Sequence, residues 1–284
     1  MALSDPKSLY NDIISYKSIS WIRKRLETER EYLEKNYNTI NSLKNSFTTY
    51  RNYLKNNIDA NLEKKGVNLL NIALSILRLT TEQQQEFISD KNANIKKDKS
   101  NLRLIYNVGN YLDTSILLLS SPHLYDNLIG LAAVTGRRIA EIACTAEFKK
   151  IDAENMIFDG QLKTKGRIDV LPYQIPVLCD PDLIIDRLKF IRDLRPNFIN
   201  QMQLFHDSCS SRLSKKVKKV YRELFEGIPK TKDLRAIYAL ICFIRYNKKE
   251  ENKHIDRDVY FSRILGHSED DINTCASYVD FYIT

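Results

Sequence analysis

The stretch "VTGRRIAEI", residues 134–142, places two adjacent arginines, Arg137 and Arg138, in a run of otherwise apolar helix formers. Gly136 stops the helical pattern "HLYDNLIGLAAV" before it, and the arginines open a second helix after it. A guanidinium stays charged at every physiological pH. A folded chain that sets one among apolar residues must supply partners for it, such as an anionic ligand or the carboxylate of Glu141.

The pattern on either side is helical as well. "LRLIYNVGNYLDTSILLL" reads as a largely apolar helix, and Ser121 with Pro122 makes an N-cap and N1 pair for the helix that Gly136 ends. Downstream, "NMIFDGQLKTKGRIDVLPYQIPVL", residues 155–178, leaves the helical rhythm. Its apolar β-formers flank a polar, Gly-containing centre, which predicts a β-hairpin or short sheet, the only sheet expected. Asp180–Pro181 starts another helix, "SRLSKKVKKVYRELFE" forms one ending near Gly227, and Thr231 caps "KDLRAIYALICFIRYN". "RDVYFSRILGH" and "DDINTCASYVDFYIT" are the last pieces.

Upstream, "SISWIRKRLETEREYLEKNYNTINSLKNSFTTYRNYLKN" mixes aromatic, basic and acidic residues at helical spacing with neither Gly nor Pro. "GVNLLNIALSILRL" adds a helix with a broad apolar face, and Thr80 with Gln83 resembles a capping box for the next one. The polar segment "SDKNANIKKDKSN", 89–101, reads as a seam. The expected fold is mainly α with a small β-sheet (α+β): a helical N-terminal domain over 1–100 and a second domain over 101–284.

Composition narrows the function. Lys and Arg number 44 against 36 Asp and Glu, a net charge of +8, which favours a polyanionic partner such as nucleic acid. Five cysteines, an odd set without CxxC spacing, fit reduced thiols in the cytoplasm. His206 and Cys209 lack a second ligand pair, so no metal site is expected. There is no GxGxxG or Walker loop to support nucleotide-driven chemistry. No apolar run approaches the ~18–20 residues that span a bilayer, and "MALSDPKSLYNDI" lacks the regions of a signal peptide. A soluble cytoplasmic protein without membrane or cofactor is the expectation.

Six polar residues at element edges of the second half stand out: Arg138, Lys163, Lys232, Arg235, His267 and Tyr278. Together they have the composition needed to split a phosphodiester with a side-chain nucleophile. Attack builds negative charge on the equatorial phosphate oxygens, which two planar guanidiniums bind better than ammonium groups do. The leaving 5′ oxygen needs a proton, a task for a Lys whose pKa neighbouring cations depress, while a His can bond the phosphate or serve the nucleophile. A Tyr phenol, of ordinary pKa about 10, attacks only when positive neighbours stabilise its phenolate.

The order of these motifs resembles the tyrosine recombinases. "TGRRIAEI" is similar to their first arginine box, which implies that Arg138 rather than Arg137 is catalytic. "GQLKTKGR" resembles the hairpin of the catalytic lysine, implying Lys163, with Lys165 as runner-up. "KDLRAIYA" resembles the second arginine box and implies Arg235; "LGHSEDDINTCASY" resembles the terminal element and implies His267 and the nucleophile Tyr278. Where that second box usually begins with His, this one begins with Lys232, and the eleven-residue His-to-Tyr interval agrees in pointing to the telomere resolvase (protelomerase) branch. That branch cuts both strands of a replicated telomere through 3′-phosphotyrosyl links and closes each end as a hairpin. The resemblance covers roughly 101–284 and implies a dimer acting on an inverted-repeat DNA site. The other readings are a conventional recombinase or integrase, a type IB topoisomerase and a non-catalytic DNA-binding protein.

Further DNA contacts are expected from Arg137, from Lys165 and Arg167 of the hairpin, and from Lys215, Lys216, Lys218, Lys219 and Arg222 along one helix. Arg137 has a second reading, as a brace for Arg138. In the N-terminal helices Arg23, Lys24, Arg25 and Arg30 are candidates, and Trp21 is expected in the core.

Overall fold

The computed structural model describes residues 5–16, 18–64, 66–162, 171–246, 255–267, 278 and 281–283, the side chains of residues 64, 98 and 99 excepted. The chain divides into two compact units, Met1–Asn94 and Ile95–Thr284.

In the first unit α1 (Pro6–Ser15), α2 (Ile19–Asn36), α3 (Ile40–Asn57) and α4 (Leu69–Ile76) enclose a core that includes Leu9, Ile22, Leu26, Phe47 and Leu54. The long Gly-free stretch is two helices, because the Thr39 side chain caps α3 by accepting from the Ser42 amide at 3.2 Å. A hairpin of β1 (Glu63–Lys64) and β2 (Val67–Asn68) precedes α4. Two expectations reverse. Trp21 is 59% exposed, resting on Tyr16 and Lys24 rather than in the core. Arg25 is only 5% exposed, because Asp12 and Glu29 accept from its guanidinium at 2.8 and 2.7 Å, and Glu29 also accepts from Tyr50 at 2.9 Å. A buried charge so paired is a structural knot, not a DNA contact.

The capping box forms as expected: Thr80 and Gln83 each accept from the other's amide, opening α5 (Thr81–Ser100). The polar 89–101 segment is thus helix almost throughout, and the division between units falls inside it. With neither Gly nor Pro to break it and no apolar face, a helix that is polar all round is the local outcome.

The second unit is built around α7 (Leu124–Thr135), buried along almost its whole length and packed by α6 (Val108–Leu119), α8 (Ile139–Cys144), α9 (Pro181–Leu194), α10 (Met202–Tyr221) and α11 (Thr231–Tyr246). The α7 N-cap position is His123, two residues later than expected: Ser121 donates to Asp126 at 2.8 Å, and the Asn127 amide donates to the Ser121 and His123 carbonyls. Asp180 caps α9 with Pro181 at its first position, as its sequence dictates. The hairpin expected at 155–178 is the pair β5 (Asn155–Asp159) and β6 (Tyr173–Pro176), and β4 (Glu147–Lys150) joins β5 to make three antiparallel strands. It is not the only sheet. Besides the β1–β2 hairpin, β3 (Arg103–Leu104) pairs in parallel with β7 (Phe281–Tyr282), beyond α12 (Arg257–Leu265).

Candidate active site

The Thr-Gly turn does two jobs. Gly136 ends α7 at φ 65°, where a side chain is strained, and a Cβ there would stand 2.1 Å from the Tyr238 ring. Its carbonyl, freed at the helix end, accepts from Arg235 Nη1 at 2.5 Å.

The two arginines after the turn part company. Arg137 is 1% exposed: it donates to the Thr135 carbonyl at 3.1 Å, to the Ile264 carbonyl at 2.6 Å and to the Tyr173 hydroxyl, with its guanidinium over the Phe158 ring. The guanidinium is thus committed to partners within the protein, although Arg137 also borders the cleft that Arg138 faces. Arg138 begins α8 with its side chain on the adjoining cleft, held by Glu141, which accepts from Nη1 at 2.6 Å and from the backbone amide at 2.9 Å. Burial pushes the Glu141 carboxyl up, but Arg235, Arg138 and Arg137 outweigh it and hold the pKa below the ordinary carboxylate value.

Arg235, on α11, is 4% exposed and donates from Nη2 to the Leu265 carbonyl at 2.5 Å. Ile264 and Leu265 end α12, so this helix receives one arginine on each of its last two carbonyls, where a helix attracts cations. Gly266 follows at φ 68°; a Cβ there would meet Gln161 Oε1 and the Tyr173 hydroxyl within 2.2 Å. Its carbonyl accepts from Gln161 at 2.7 Å, tying the chain just after β5 to the residue before His267. The His267 ring lies 5.7 Å from the Tyr278 ring, and the Arg235 guanidinium lies 5.7 Å from the same phenol ring. Burial lowers the Arg235 pKa, but the phenol, Glu141 and Tyr173 more than offset this and keep it above the ordinary arginine value.

Arg138, Lys232, Arg235 and Tyr278 line one cleft of about 550 Å³, faced across the gap by Phe205, His206 and Ser210 of α10. Four of the six candidate residues therefore share a cavity, and His267 adjoins its tyrosine. Lys163, Lys165 and Arg167 lie outside the described residues. Leu162, just before them, has its amide 3.4 Å from Glu141 Oε1, beside Arg138. On α10, Lys215, Lys218, Lys219 and Arg222 line a second groove of about 600 Å³ with Gly227, Ile228 and Pro229. Lys216 turns aside to Asp126 at 2.7 Å.

Sequence reasoning took Glu141 only as a salt-bridge partner and missed its place under both arginines; its position three residues after Arg138 was the available signal. Gln161 and Tyr173 carry no such signal.

With this geometry in place, the known proteins it resembles are informative. A family model, the telomere resolvase ResT/TelK catalytic domain, matches residues 101–281. This chain belongs to that family. The protelomerase of Yersinia phage PY54 is 33% identical over 164 residues, 53% of this chain and 26% of that protein. The protelomerase of Klebsiella oxytoca phage phiKO2 is 27% identical over 242 residues, 80% of this chain and 37% of that protein. The chain thus spans about a quarter to two fifths of the length of these curated relatives. A solved structure of a mutant protelomerase TelA complexed with a DNA hairpin product superposes with a TM-score of 0.83 at 21% identity, covering 100% of this chain and 90% of that one. This likeness establishes the tyrosine-recombinase-like fold of the telomere resolvase branch. No helix among the described residues is long and apolar enough to cross a membrane.

Proposed function

We propose that this chain breaks and rejoins DNA as a telomere resolvase, converting a replicated telomere junction into covalently closed hairpin ends. One observation carries the reading: Arg138, Lys232, Arg235 and Tyr278 converge on a single cleft with His267 beside the phenol. The membership of the ResT/TelK family and the hairpin product held by the TelA structure support it.

In the first step the Tyr278 oxygen attacks the scissile phosphorus, a 3′-phosphotyrosyl bond forms, and the bond to the 5′ oxygen breaks. The phenol gives up its proton to solvent water and the leaving oxygen gains one, from Lys163 in this reading, with Lys232 assisting. Arg138, Arg235 and His267 bind the charge that develops on the remaining oxygens. In the second step the 5′ hydroxyl of the opposite strand attacks the phosphotyrosine, the phosphodiester re-forms, and the phenol recovers its proton. The link conserves the energy of the broken bond, so no ATP is required, and the cations supply the charge neutralisation that a divalent metal gives elsewhere. Folding the strand end back unstacks bases at a few kcal/mol per step, offset by protein cations and stacking aromatics. The proposed partner is double-stranded DNA with an inverted repeat, bound by a homodimer in the bacterial or phage-infected cytoplasm.

The test is a denaturing gel of an inverted-repeat telomere duplex after incubation with the protein. Products that snap back after denaturation support the reading; four-way junctions indicate a conventional recombinase, and site-independent relaxation of supercoiled plasmid a topoisomerase. With a suicide-nicked palindrome the covalent adduct should map to Tyr278 and vanish in Tyr278→Phe. An adduct that survives this substitution overturns the nucleophile assignment.

A further inference from the structure

Arg103 stands outside the cleft, yet it touches both elements that must meet there. Its guanidinium grips the fully buried Asp233 with two bonds, Nη1 to Oδ2 at 3.0 Å and Nη2 to Oδ1 at 2.9 Å. Asp233 sits in the first turn of α11, between Lys232 and Arg235, and also accepts from the Lys230 amide at 2.9 Å. The same guanidinium lies 4.1 Å from the ring centroid of Phe281, which is buried edge-on against Phe225. The backbone repeats the connection: Arg103 is in register with Phe281 in the parallel β3–β7 pair, and the Ile105 amide donates to the Tyr282 carbonyl at 3.1 Å.

Phe281 follows Tyr278 by three residues, a span of at most roughly 10 Å of extended chain. Wherever β7 is pinned, the phenol is confined to a small sphere around that point. A paired strand two residues long is weak by itself. A bidentate fork with a stacked ring adds a planar, directional restraint that an ammonium group cannot reproduce. We infer that Arg103 is a positioning residue for the nucleophile: it latches the segment carrying Tyr278 to the helix carrying Lys232 and Arg235, fixing the phenol against the phosphate-binding guanidinium.

This role rests on the proposed strand-cleavage reaction, and the test separates the two. The full chain is compared with Arg103→Lys, which keeps the charge but loses the fork, and with Phe281→Leu, which removes the ring. Two quantities are read on a suicide-nicked telomere duplex: the rate of adduct formation at saturating DNA, and DNA affinity. Displacing a nucleophile by a fraction of its reach should slow adduct formation roughly 10- to 100-fold while affinity stays within about two-fold. Because both substitutions open one latch, the double variant should be no slower than the slower single. Rates within about two-fold of wild type, multiplicative losses, or affinity falling in step with rate would each overturn the inference. Hydrogen exchange at the Ile105 amide gives a readout independent of chemistry and should accelerate in Arg103→Lys. Unchanged exchange refutes the latch even if the wild-type protein forms no adduct, a result that instead strikes at the reaction.

Discussion

Arg235 donates to the carbonyl of Gly136, 99 residues away in sequence, at 2.5 Å. The second arginine box is thereby seated on the turn that introduces the first, and the turn exists only because residue 136 can hold φ 65° beneath the Tyr238 ring.

Gly136→Ala should therefore be severe. It adds a strained backbone and a Cβ that overlaps a buried ring, together about 2–4 kcal/mol of lost stability. Denaturant unfolding of the full chain measures it, and a Gly109→Ala control, at a glycine with no strained φ, should lose far less.

Neighbouring arginines should fail in opposite ways. Arg137→Ala leaves buried carbonyls and the Tyr173 hydroxyl without their donor, costing about 2–4 kcal/mol in unfolding experiments. Arg138→Ala, whose side chain keeps 21% of its surface on the cleft, should abolish covalent adduct formation, and its cost in stability should come only from the Glu141 carboxylate left to Arg235 and Arg137.

Glu141 predicts a pH signature. Its folded pKa lies below the ordinary carboxylate value, so the folded state binds the proton more weakly than the unfolded state. The ionised carboxylate stabilises the fold above the unfolded value of about 4.3 and loses that contribution as pH falls through the lower folded value. The stability gap between wild type and Glu141→Gln should be flat from neutral pH down to about 5 and close below it.

The groove on α10 should behave as a phosphate track. Each of Lys218→Gln and Lys219→Gln is expected to weaken duplex binding regardless of sequence and to reduce the slope of log affinity against log salt by about 0.9. Lys216→Gln, whose ammonium is committed to Asp126, should leave that slope unchanged.

Much of this was legible from local signals. Gly136 at a helix end, Thr80 with Gln83, and Asp180–Pro181 each speak to residues within one turn, so these helix ends could be placed from sequence, whereas Thr231, expected to cap α11, is the first residue of that helix. What depended on distant partners could not. The arginine box points to Arg138 by position, but nothing local foretells the burial of Arg137, which is fixed by Tyr173 and by the Ile264 carbonyl, 36 and 127 residues away. Arg103 and Asp233 are 130 residues apart, and two-residue strands such as β3 and β7 are too short for a period-two pattern. Trp21 was misplaced because aromatic identity indicates burial only on average.

The final carbonyls of α12 have a consequence for how this protein should fail. Helix ends are the first parts of a fold to fray, and here one frayed turn would release Arg137 and Arg235 together. Gentle heating should thus silence the molecule while its circular dichroism still looks intact, making function a more sensitive thermometer than structure.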